Sequence, residues 1–443
     1  MSVDASFRAA KHVHEEAVAR RSGDGLEKAR RLYARILVDD PEYVDAHHLM
    51  GLAASQLGDF PAAIESLRRA ILLGPSADAW NNLGMAYHGS GSLAEAEDAW
   101  RQALLLDADH SDSVDNLGTI FKRAGRLKEA LELCESALAR NPHHGPWHYN
   151  LADVMRLLDR PSEAILHLRR AVELDPDDSR SRMHLGQALW EAGDRAAAAI
   201  VFRDWMNHEP DNPIARHMHA AVAGDAAPGR AADDYIVHVF DKYAEDFDEH
   251  LLGDLEYQVP QLIGARVDRE HPERAARLDV LDVGCGTGLC GPRLRGHAKR
   301  LVGVDLSPAM LERAAETNSY DELTQAELTA YLSRTTNSFD LVVSADTFCY
   351  FGDLRPSLEA AGQASRERGE LVFTVEEAVD EPPGGFALMP HGRYVHGASY
   401  LQRVLTETGW SLVSMDSVVL RKEAGAPVQG LLVYARKNGS SNR

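Results

Sequence analysis

Residues 278–288 read LDVLDVGCGTG, an apolar run that passes directly into a glycine-rich turn. The turn has glycines at alternate positions, Gly284, Gly286 and Gly288, and the run before it contains Asp282. A short apolar run bounded by glycine is typical of a buried strand. Glycine also lets the backbone bend sharply and lets a ligand approach the main chain closely. The segment therefore predicts a strand, a ligand-binding turn and the start of a helix.

The next apolar run carries a second acid. LVGVD at 301–305 predicts a strand that ends in Asp305, 17 residues after Gly288. A carboxylate at this position can accept hydrogen bonds from both hydroxyls of a ribose. The GxGxxG fingerprint of nicotinamide sites needs a glycine at 289, where this chain has leucine. The spacing thus indicates a nucleoside site that differs from the nicotinamide-binding type.

Short apolar runs alternate with helical stretches through the rest of this half. Further runs lie at 339–346, 370–376, 412–420 and 430–437. Strands that alternate with helices predict a doubly wound α/β fold. With LSPAML at 306–311 added, this half resembles the class I S-adenosylmethionine (SAM) methyltransferases. The resemblance implies a Rossmann-like domain with a seven-stranded, mostly parallel sheet and SAM as cofactor. A Rossmann-like domain that binds another nucleotide is the alternative.

The resemblance implies where parts of the cofactor bind. Asp282 and the glycine turn, whose variable slot holds Cys285, would face the methionine end of SAM. Asp305 would bind the ribose, and Leu306 and Met310 would pack near the adenine.

Other assignments within the resemblance have competing interpretations. Glu327-Leu328 stands where the family commonly has Asp-Leu, whose acid accepts the adenine amino group. Asp346 would contact the sulfonium end or the acceptor, or cap a helix. Tyr243 and Phe247, on a helix before the domain, would cover the cofactor or simply pack. The complete cofactor-binding set is Asp282, Gly284, Cys285, Gly286, Gly288, Asp305, Leu306, Met310, Glu327, Leu328, Asp346 and Tyr243.

Methyl transfer is an in-line displacement that needs a positioned acceptor and excludes water. In this fold the acceptor binds beyond the carboxyl ends of strands four and five. His396 is the first candidate for a general base, since histidine titrates near working pH. Tyr350 would orient the acceptor, and Arg393 would bind a substrate carboxylate. The competing interpretations are a structural hydrogen bond for His396, lid packing for Tyr350, and an ion pair of Arg393 with Glu376 or Glu377.

The N-terminal half repeats with a period of 34 residues. Prolines and alanines recur at this step, as Pro142, Pro176 and Pro210 and as Ala96, Ala130, Ala164 and Ala198. The period resembles a tetratricopeptide (TPR) array, which implies an all-α solenoid at 10–223 with six repeats and a closing helix. A linker at 224–230, a methyltransferase domain at 231–437 with an N-terminal helical lid, and a frayed tail at 438–443 complete the predicted organisation.

Three asparagines occupy the same position in consecutive repeats, 34 residues apart: Asn82, Asn116 and Asn150. A side-chain amide can pair with both polar groups of a passing peptide unit. The arrangement resembles the asparagine ladder of the TPR superhelix in O-GlcNAc transferases, which grips extended peptide. Bridging between neighbouring helices is the equally weighted alternative. The lysines of the clamp for C-terminal carboxylates are replaced by Asn81, Asp115 and Tyr149, which disfavours that partner class.

Composition excludes several classes of partner and site. Of 443 residues, 68 are acidic and 47 basic, for a net charge of −21. Such an acidic chain without a basic run disfavours nucleic acid and membrane surfaces as partners. Four cysteines without zinc spacing, and histidines without a ligand set, predict a reduced, metal-free protein. We expect a cytoplasmic protein, since no signal core or membrane-spanning run is present.

YFGDL at 350–354 and GRYVHGASYL at 392–401 extend the resemblance to bacterial predicted methyltransferases that carry TPR repeats. This predicts SAM-dependent methyl transfer to an acceptor recruited by the TPR groove, with a peptide or protein preferred. One alternative is a small-molecule or natural-product acceptor, with the array used for dimerisation or docking. The other is a TPR scaffold with a vestigial cofactor domain.

Overall fold

The computed structural model describes residues 3–223, 228–244, 248, 255–273, 275–423 and 425–439. The chain divides into two compact units, Met1–Ser181 and Arg182–Arg443. The division falls within the predicted sixth repeat, so most of that repeat belongs to the second unit. The domain boundaries expected from the sequence stay a prediction.

The first unit is built from antiparallel helix pairs. Its helices are α1 (Val3–Ala19), α2 (Gly23–Asp39), α3 (Val44–Gln56), α4 (Phe60–Leu73), α5 (Ala77–Gly89), α6 (Leu93–Leu106), α7 (Ser111–Arg123), α8 (Leu127–Arg140), α9 (Gly145–Leu157) and α10 (Pro161–Leu174).

Two of these pairs pack a glycine of the first helix closely against a bulky residue of the second. A Cβ on Gly84 would lie 2.5 Å from Nε1 of Trp100, and one on Gly51 would lie 2.6 Å from Cγ of Leu67. Both bulky side chains are almost completely buried. The 34-residue period therefore reflects a packing requirement, since each pair buries only part of its apolar surface without its neighbours.

The second unit begins with helices and continues into a sheet. Its helices are α11 (Ser179–Glu191), α12 (Arg195–His208), α13 (Pro213–Val222), α14 (Asp233–Tyr243), α15 (Val259–Glu270), α16 (Gly291–Leu294), α17 (Pro308–Glu316), α18 (Leu328–Ser333), α19 (Arg355–Ala364) and α20 (Ala398–Glu407). Its strands are β1 (Leu278–Val283), β2 (Ala298–Asp305), β3 (Glu322–Gln325), β4 (Phe339–Ser344), β5 (Ser365–Glu377), β6 (Phe386–Leu388), β7 (Tyr394–His396), β8 (Trp410–Glu423) and β9 (Ala426–Lys437).

The strands of the described ranges form one nine-stranded sheet. Seven of them follow the order β3-β2-β1-β4-β5-β9-β8, in which β1 to β5 are parallel and β9 is antiparallel to both of its neighbours, β5 and β8. This is the predicted seven-stranded, mostly parallel sheet. The remaining strands, β6 and β7, have three residues each and form a hairpin, and β7 pairs with Glu376 and Glu377 at the end of β5.

Two helical layers cover the sheet, because alternate side chains of each strand face opposite sides. Leu281 and Val283 of β1 pack on the side of α18, α19 and α20. Val280 packs on the side of α15 and α16. The carboxyl ends of β1, β2, β4 and β5 consequently meet at one edge of the sheet, where ligands bind in such folds.

No helix in the described ranges is long and apolar enough to cross a membrane.

Candidate functional site

The glycine turn after β1 has a backbone that only glycine adopts readily. Gly284, Gly286 and Gly288 have φ of 70°, 55° and 86°, in the left-handed region that other residues avoid. A Cβ on Gly284 would lie 2.2 Å from Oγ1 of Thr347, so the turn packs directly against the end of β4. At Gly286, by contrast, no atom of the described residues beyond its two chain neighbours lies within 4 Å of where a Cβ would be. The turn therefore borders open space that a ligand can fill.

Asp282 ends β1 beneath this turn and is completely buried. Its Oδ2 accepts a hydrogen bond of 2.8 Å from the hydroxyl of Tyr320. Its Oδ1 is buried and has no hydrogen-bond partner in the part of the chain that the structure describes. Burial, together with the nearby charge of Asp305, raises the pKa of the carboxyl to about 7, against the lowering effect of Tyr320. A buried acceptor without a donor is costly, so Oδ1 is an atom that a bound ligand would satisfy.

Asp305 is the last residue of β2, and its carboxylate accepts hydrogen bonds from two turns. Its Oδ2 accepts from the backbone N–H of Gly286, and its Oδ1 accepts from that of Ser307, both at 2.9 Å. Burial raises the pKa of this carboxyl, and the backbone donors oppose the increase. Because each carboxylate oxygen has two lone pairs, Asp305 retains acceptor capacity for ligand hydroxyls.

The helix before the domain contacts both of these turns. Oγ of Ser307, which also caps α17 by accepting from Met310, donates to Oδ1 of Asp241 at 2.5 Å. Oγ1 of Thr287 donates to Oδ1 of Asp248 at 2.5 Å. The side chain of Tyr243 and all of Phe247 lie outside the described residues. Among the described residues, Asp241 and Asp248 thus connect this segment to the two turns, and its role as a lid stays a prediction.

The residues expected near the adenine follow β2 and β3. Met310 is buried, whereas Leu306 is half-buried. Glu327 caps α18, since its carboxylate oxygens accept from the N–H groups of Thr329 at 3.0 Å and Ala330 at 2.8 Å. Leu328, the first residue of that helix, is buried. The helix cap explains why an acid stands at 327, and its contact with adenine stays a prediction.

A network of buried charges lies at the carboxyl ends of β4 and β5. Arg421 of β8 donates to Asp346 and Glu423, at 2.8 Å each, and also to Glu376. Arg393 donates to Glu376 at 2.5 Å and to Glu423. Burial alone would raise the pKa of Glu376, but the two arginines lower it to about 2. The three acids outnumber the two arginines, and the buried Oδ1 of Asp346 has no hydrogen-bond partner among the residues that the structure describes.

Comparison with known families identifies both halves of the chain. Residues 281–373 match the family described as a methyltransferase domain. Residues 48–113, 109–177 and 156–222 match three tetratricopeptide repeat families. The chain carries a TPR array and a SAM-dependent methyltransferase domain. The prediction of both from the sequence is confirmed.

Individual relatives match mainly the methyltransferase domain. A malonyl-[acyl-carrier protein] O-methyltransferase of Acetivibrio thermocellus is 34% identical over 101 residues, which are 22% of this chain and 36% of the relative. A protein of the same name from Paenibacillus sp. is 25% identical over 201 residues, 41% of this chain and 72% of its own length. A solved SAM-dependent methyltransferase from Mesorhizobium loti is 22% identical, covers 39% of this chain and 96% of its own, and superposes with a TM-score of 0.31. The chain thus spans little more than a third of the first relative's length.

Residues 281–373 match a methyltransferase domain, and the residues at the turn fit SAM, the cofactor that the resemblance implies. The unpaired Oδ1 of Asp282 offers an acceptor for a polar group at the methionine end. Asp305 offers acceptors for the ribose, and the space beside Gly286 leaves room for the ligand against the main chain. The chain's own hydrogen bonds therefore leave unsatisfied the groups that a cofactor would satisfy.

The residues predicted to bind or activate the methyl acceptor lie around the same edge of the methyltransferase domain. Nε2 of His396 donates to the carbonyl of Gly352 at 3.1 Å, while its buried Nδ1 has no partner within the described ranges. Burial lowers the pKa of this imidazole to about 4. Arg393 pairs with Glu376, which is the alternative that the sequence left open for it. Burial raises the pKa of Tyr350 well above its usual value. The charge of Asp346 also raises this pKa, whereas the charge of Arg393 lowers it. Their roles in transfer stay predictions.

In the first unit, each ladder asparagine bridges to the preceding repeat. Nδ2 of Asn82 donates to Nε2 of His48 at 2.7 Å, and Nδ2 of Asn116 to Oδ1 of Asn81 at 3.1 Å. Asn150 donates to Asp115 at 2.7 Å. One N–H of each amide therefore bridges to the preceding repeat, which is the alternative that the sequence left open, and peptide binding by these asparagines stays a prediction.

Proposed function

We propose that this chain transfers the methyl group of SAM to a peptide or protein that the TPR array recruits. The observation that carries the transfer is the glycine turn, which has open space beside Gly286 and, among the described residues, an unpaired carboxylate oxygen on Asp282. The three ladder asparagines on the same chain support a peptide acceptor, since a row of amide oxygens can accept from backbone N–H groups whatever the side chains.

The residues of the site divide the work of the reaction. SAM, when bound, supplies an electrophilic methyl group on a sulfonium. Asp305 orients the ribose and Asp282 binds the methionine end, so the methyl group has a fixed position. Asp241 and Asp248, on the segment that covers the turns, help to exclude water.

The acceptor chemistry follows from the weakness of the candidate base. His396 has a lowered pKa and already donates from Nε2 to Gly352. An acceptor that carries no proton at neutral pH, such as a carboxylate, needs positioning alone. A second candidate function is therefore O-methylation of a carboxylate borne by a protein, which the names of the Acetivibrio and Paenibacillus relatives also support.

The experiment uses purified full-length chain, methyl-tritiated SAM and lysate from a strain that lacks the protein. The proposal predicts label on protein bands, absent with an Asp305→Ala variant as control. Label released as methanol by mild alkali would identify a carboxyl ester, and alkali-stable label another acceptor atom. Label only on small molecules would overturn the protein acceptor. Absence of SAM binding by folded protein would leave the scaffold alternative.

A further inference from the structure

The loop between β6 and β7 delivers Arg393 into the buried charge network. It is a tight turn in which the N–H of Met389 donates to the carbonyl of Arg393 at 2.9 Å, and that of Gly392 to the carbonyl of Met389 at 2.8 Å. Gly392 has a φ of 87°. His391, on the same turn, places Nε2 3.6 Å from Oε2 of Glu376. The position of this turn therefore determines whether Arg393 and His391 reach Glu376.

Two helices of the same compact unit hold the turn by its carbonyl groups. Nε2 of His217, on α13, donates to the carbonyl of Gly392 at 2.9 Å. Nε2 of Gln187, on α11, donates to the carbonyl of Pro390 at 3.1 Å. Both helices belong to the repeat region, and neither contact was expected from the sequence.

The contact at His217 is closely packed. Its ring stacks on Tyr235 with centroids 3.9 Å apart and planes 21° from parallel. A Cβ on Gly392 would lie 2.5 Å from the hydroxyl oxygen of Tyr235 and 2.9 Å from Cε of Met218. His217 is buried, and burial lowers the pKa of its imidazole. The turn is thus closely packed against α13 and α14 when His217 donates to Gly392.

A second set of contacts holds the neighbouring candidate residues. The N–H of Ala231 donates to the carbonyl of Tyr350 at 2.8 Å, and that of Gly352 to the carbonyl of Gly229 at 2.9 Å. The carbonyl of Gly352 is the group that accepts from His396. The segment that follows α13 therefore fixes the backbone beside Tyr350 and His396.

We propose that His217 is a positioning residue for methyl transfer, assisted by Gln187. It acts through the 389–393 turn, whose correct placement keeps Arg393 on Glu376 and so shapes the acceptor side of the site. This rests on the proposed methyl transfer. In this proposal, helices α11 and α13 at the end of the repeat array help to shape the acceptor side of the site.

The first test compares variants of the full-length chain. His217→Phe keeps the stacked ring but loses the N–H donor, and His217→Gln restores a donor. His219→Phe, on the same helix, is the matched control. We expect His217→Phe to lower the initial rate of label transfer from methyl-tritiated SAM about tenfold, as for one lost buried hydrogen bond, with SAM affinity unchanged. His217→Gln should recover most of the rate, and His219→Phe should equal the wild type.

A double-mutant cycle separates positioning from general destabilisation. If His217 acts through the turn, adding His217→Phe to Arg393→Lys should slow transfer no further than the slower single variant. Multiplicative losses, or a His217→Phe enzyme with the wild-type rate, would overturn the proposal. Should His217→Phe fail to fold, Gln187→Leu supplies the same cycle through Pro390.

Hydrogen exchange gives a readout without an acceptor. Amides of 389–396 should exchange faster in His217→Phe than in His219→Phe, and equal rates would contradict the proposal. A wild-type chain that neither binds SAM nor transfers label would instead overturn the proposed function, so the two failures are distinguishable.

Discussion

The glycine turn and the charge network end neighbouring strands of one sheet, but they satisfy their polar groups in opposite ways. At the turn, Asp305 accepts from backbone N–H groups, and one oxygen of Asp282 has no hydrogen-bond partner among the described residues. In the network, Arg421 and Arg393 bind one oxygen of each of the three acids, Asp346, Glu376 and Glu423. The acids of the turn are held by uncharged donors, whereas each acid of the network is paired with arginine.

The largest expected effect follows from breaking the network. Arg421→Met would leave Asp346, Glu376 and Glu423 with one cation among them. Removing one partner of a buried pair costs about 3–5 kcal/mol, so urea unfolding should show a loss of this size. Arg313→Met, which removes an exposed pair with Glu316, should cost less than about 1 kcal/mol. Equal losses would show that the network does not stabilise the domain.

The next effect concerns the turn. Asp305→Ala should weaken SAM binding about 100-fold, because two charge-assisted hydrogen bonds are lost and the backbone at Gly286 and Ser307 loses its acceptor. Calorimetric titration measures the affinity. Glu312→Ala, an exposed acid on α17, should bind SAM as the wild type does. If Asp305→Ala binds SAM as tightly as the wild type does, Asp305 does not bind the ribose.

A smaller effect concerns pH. The pKa of Asp282 is raised to about 7, whereas an aspartate in an unfolded chain titrates near 3.9. The folded state therefore disfavours the ionised form, and stability falls as pH rises between these values relative to Asp282→Asn. A SAM donor at Oδ1 favours the ionised form, so SAM should bind about tenfold tighter at pH 8 than at pH 6.

Asp282→Asn provides the comparison for that pH profile, because titration of SAM itself affects both proteins equally. The difference in slope between wild type and Asp282→Asn, measured by calorimetry, isolates the carboxyl. Parallel slopes would mean that no donor of SAM reaches Oδ1.

The smallest effect belongs to the first unit. Replacing Asn82, Asn116 and Asn150 with Ala should raise the Michaelis constant for a protein acceptor about fivefold, as for lost weak peptide contacts, with SAM affinity unchanged. A matched triple variant at exposed positions of the second helices, Arg69, Gln102 and Glu135, should leave both constants unchanged. An unaltered constant in the asparagine variant would count against groove recruitment.

The sequence predicted what depends on neighbouring residues. The acid, the three glycines and Asp305 lie within 24 consecutive positions, so their spacing alone indicated the turn. The 34-residue period likewise paired Gly84 with Trp100, as observed.

Long-range pairs escaped this reasoning. Arg421 is 75 residues from its partner Asp346. The only local signal for this ion pair was that Arg421 directly follows an apolar run. Tyr320, which binds Asp282, precedes a third strand that the sequence marked poorly. The contact of His217 with Gly392 spans 175 residues and needs the folded arrangement to be seen.

The central claim is that the turn between β1 and α16 binds SAM for transfer. Calorimetric titration of SAM into purified full-length chain tests it most directly. We predict saturable binding at one site per chain, with heat lost in Asp305→Ala. A folded chain that gives no heat of binding with SAM, at any pH between 6 and 8, would contradict the account.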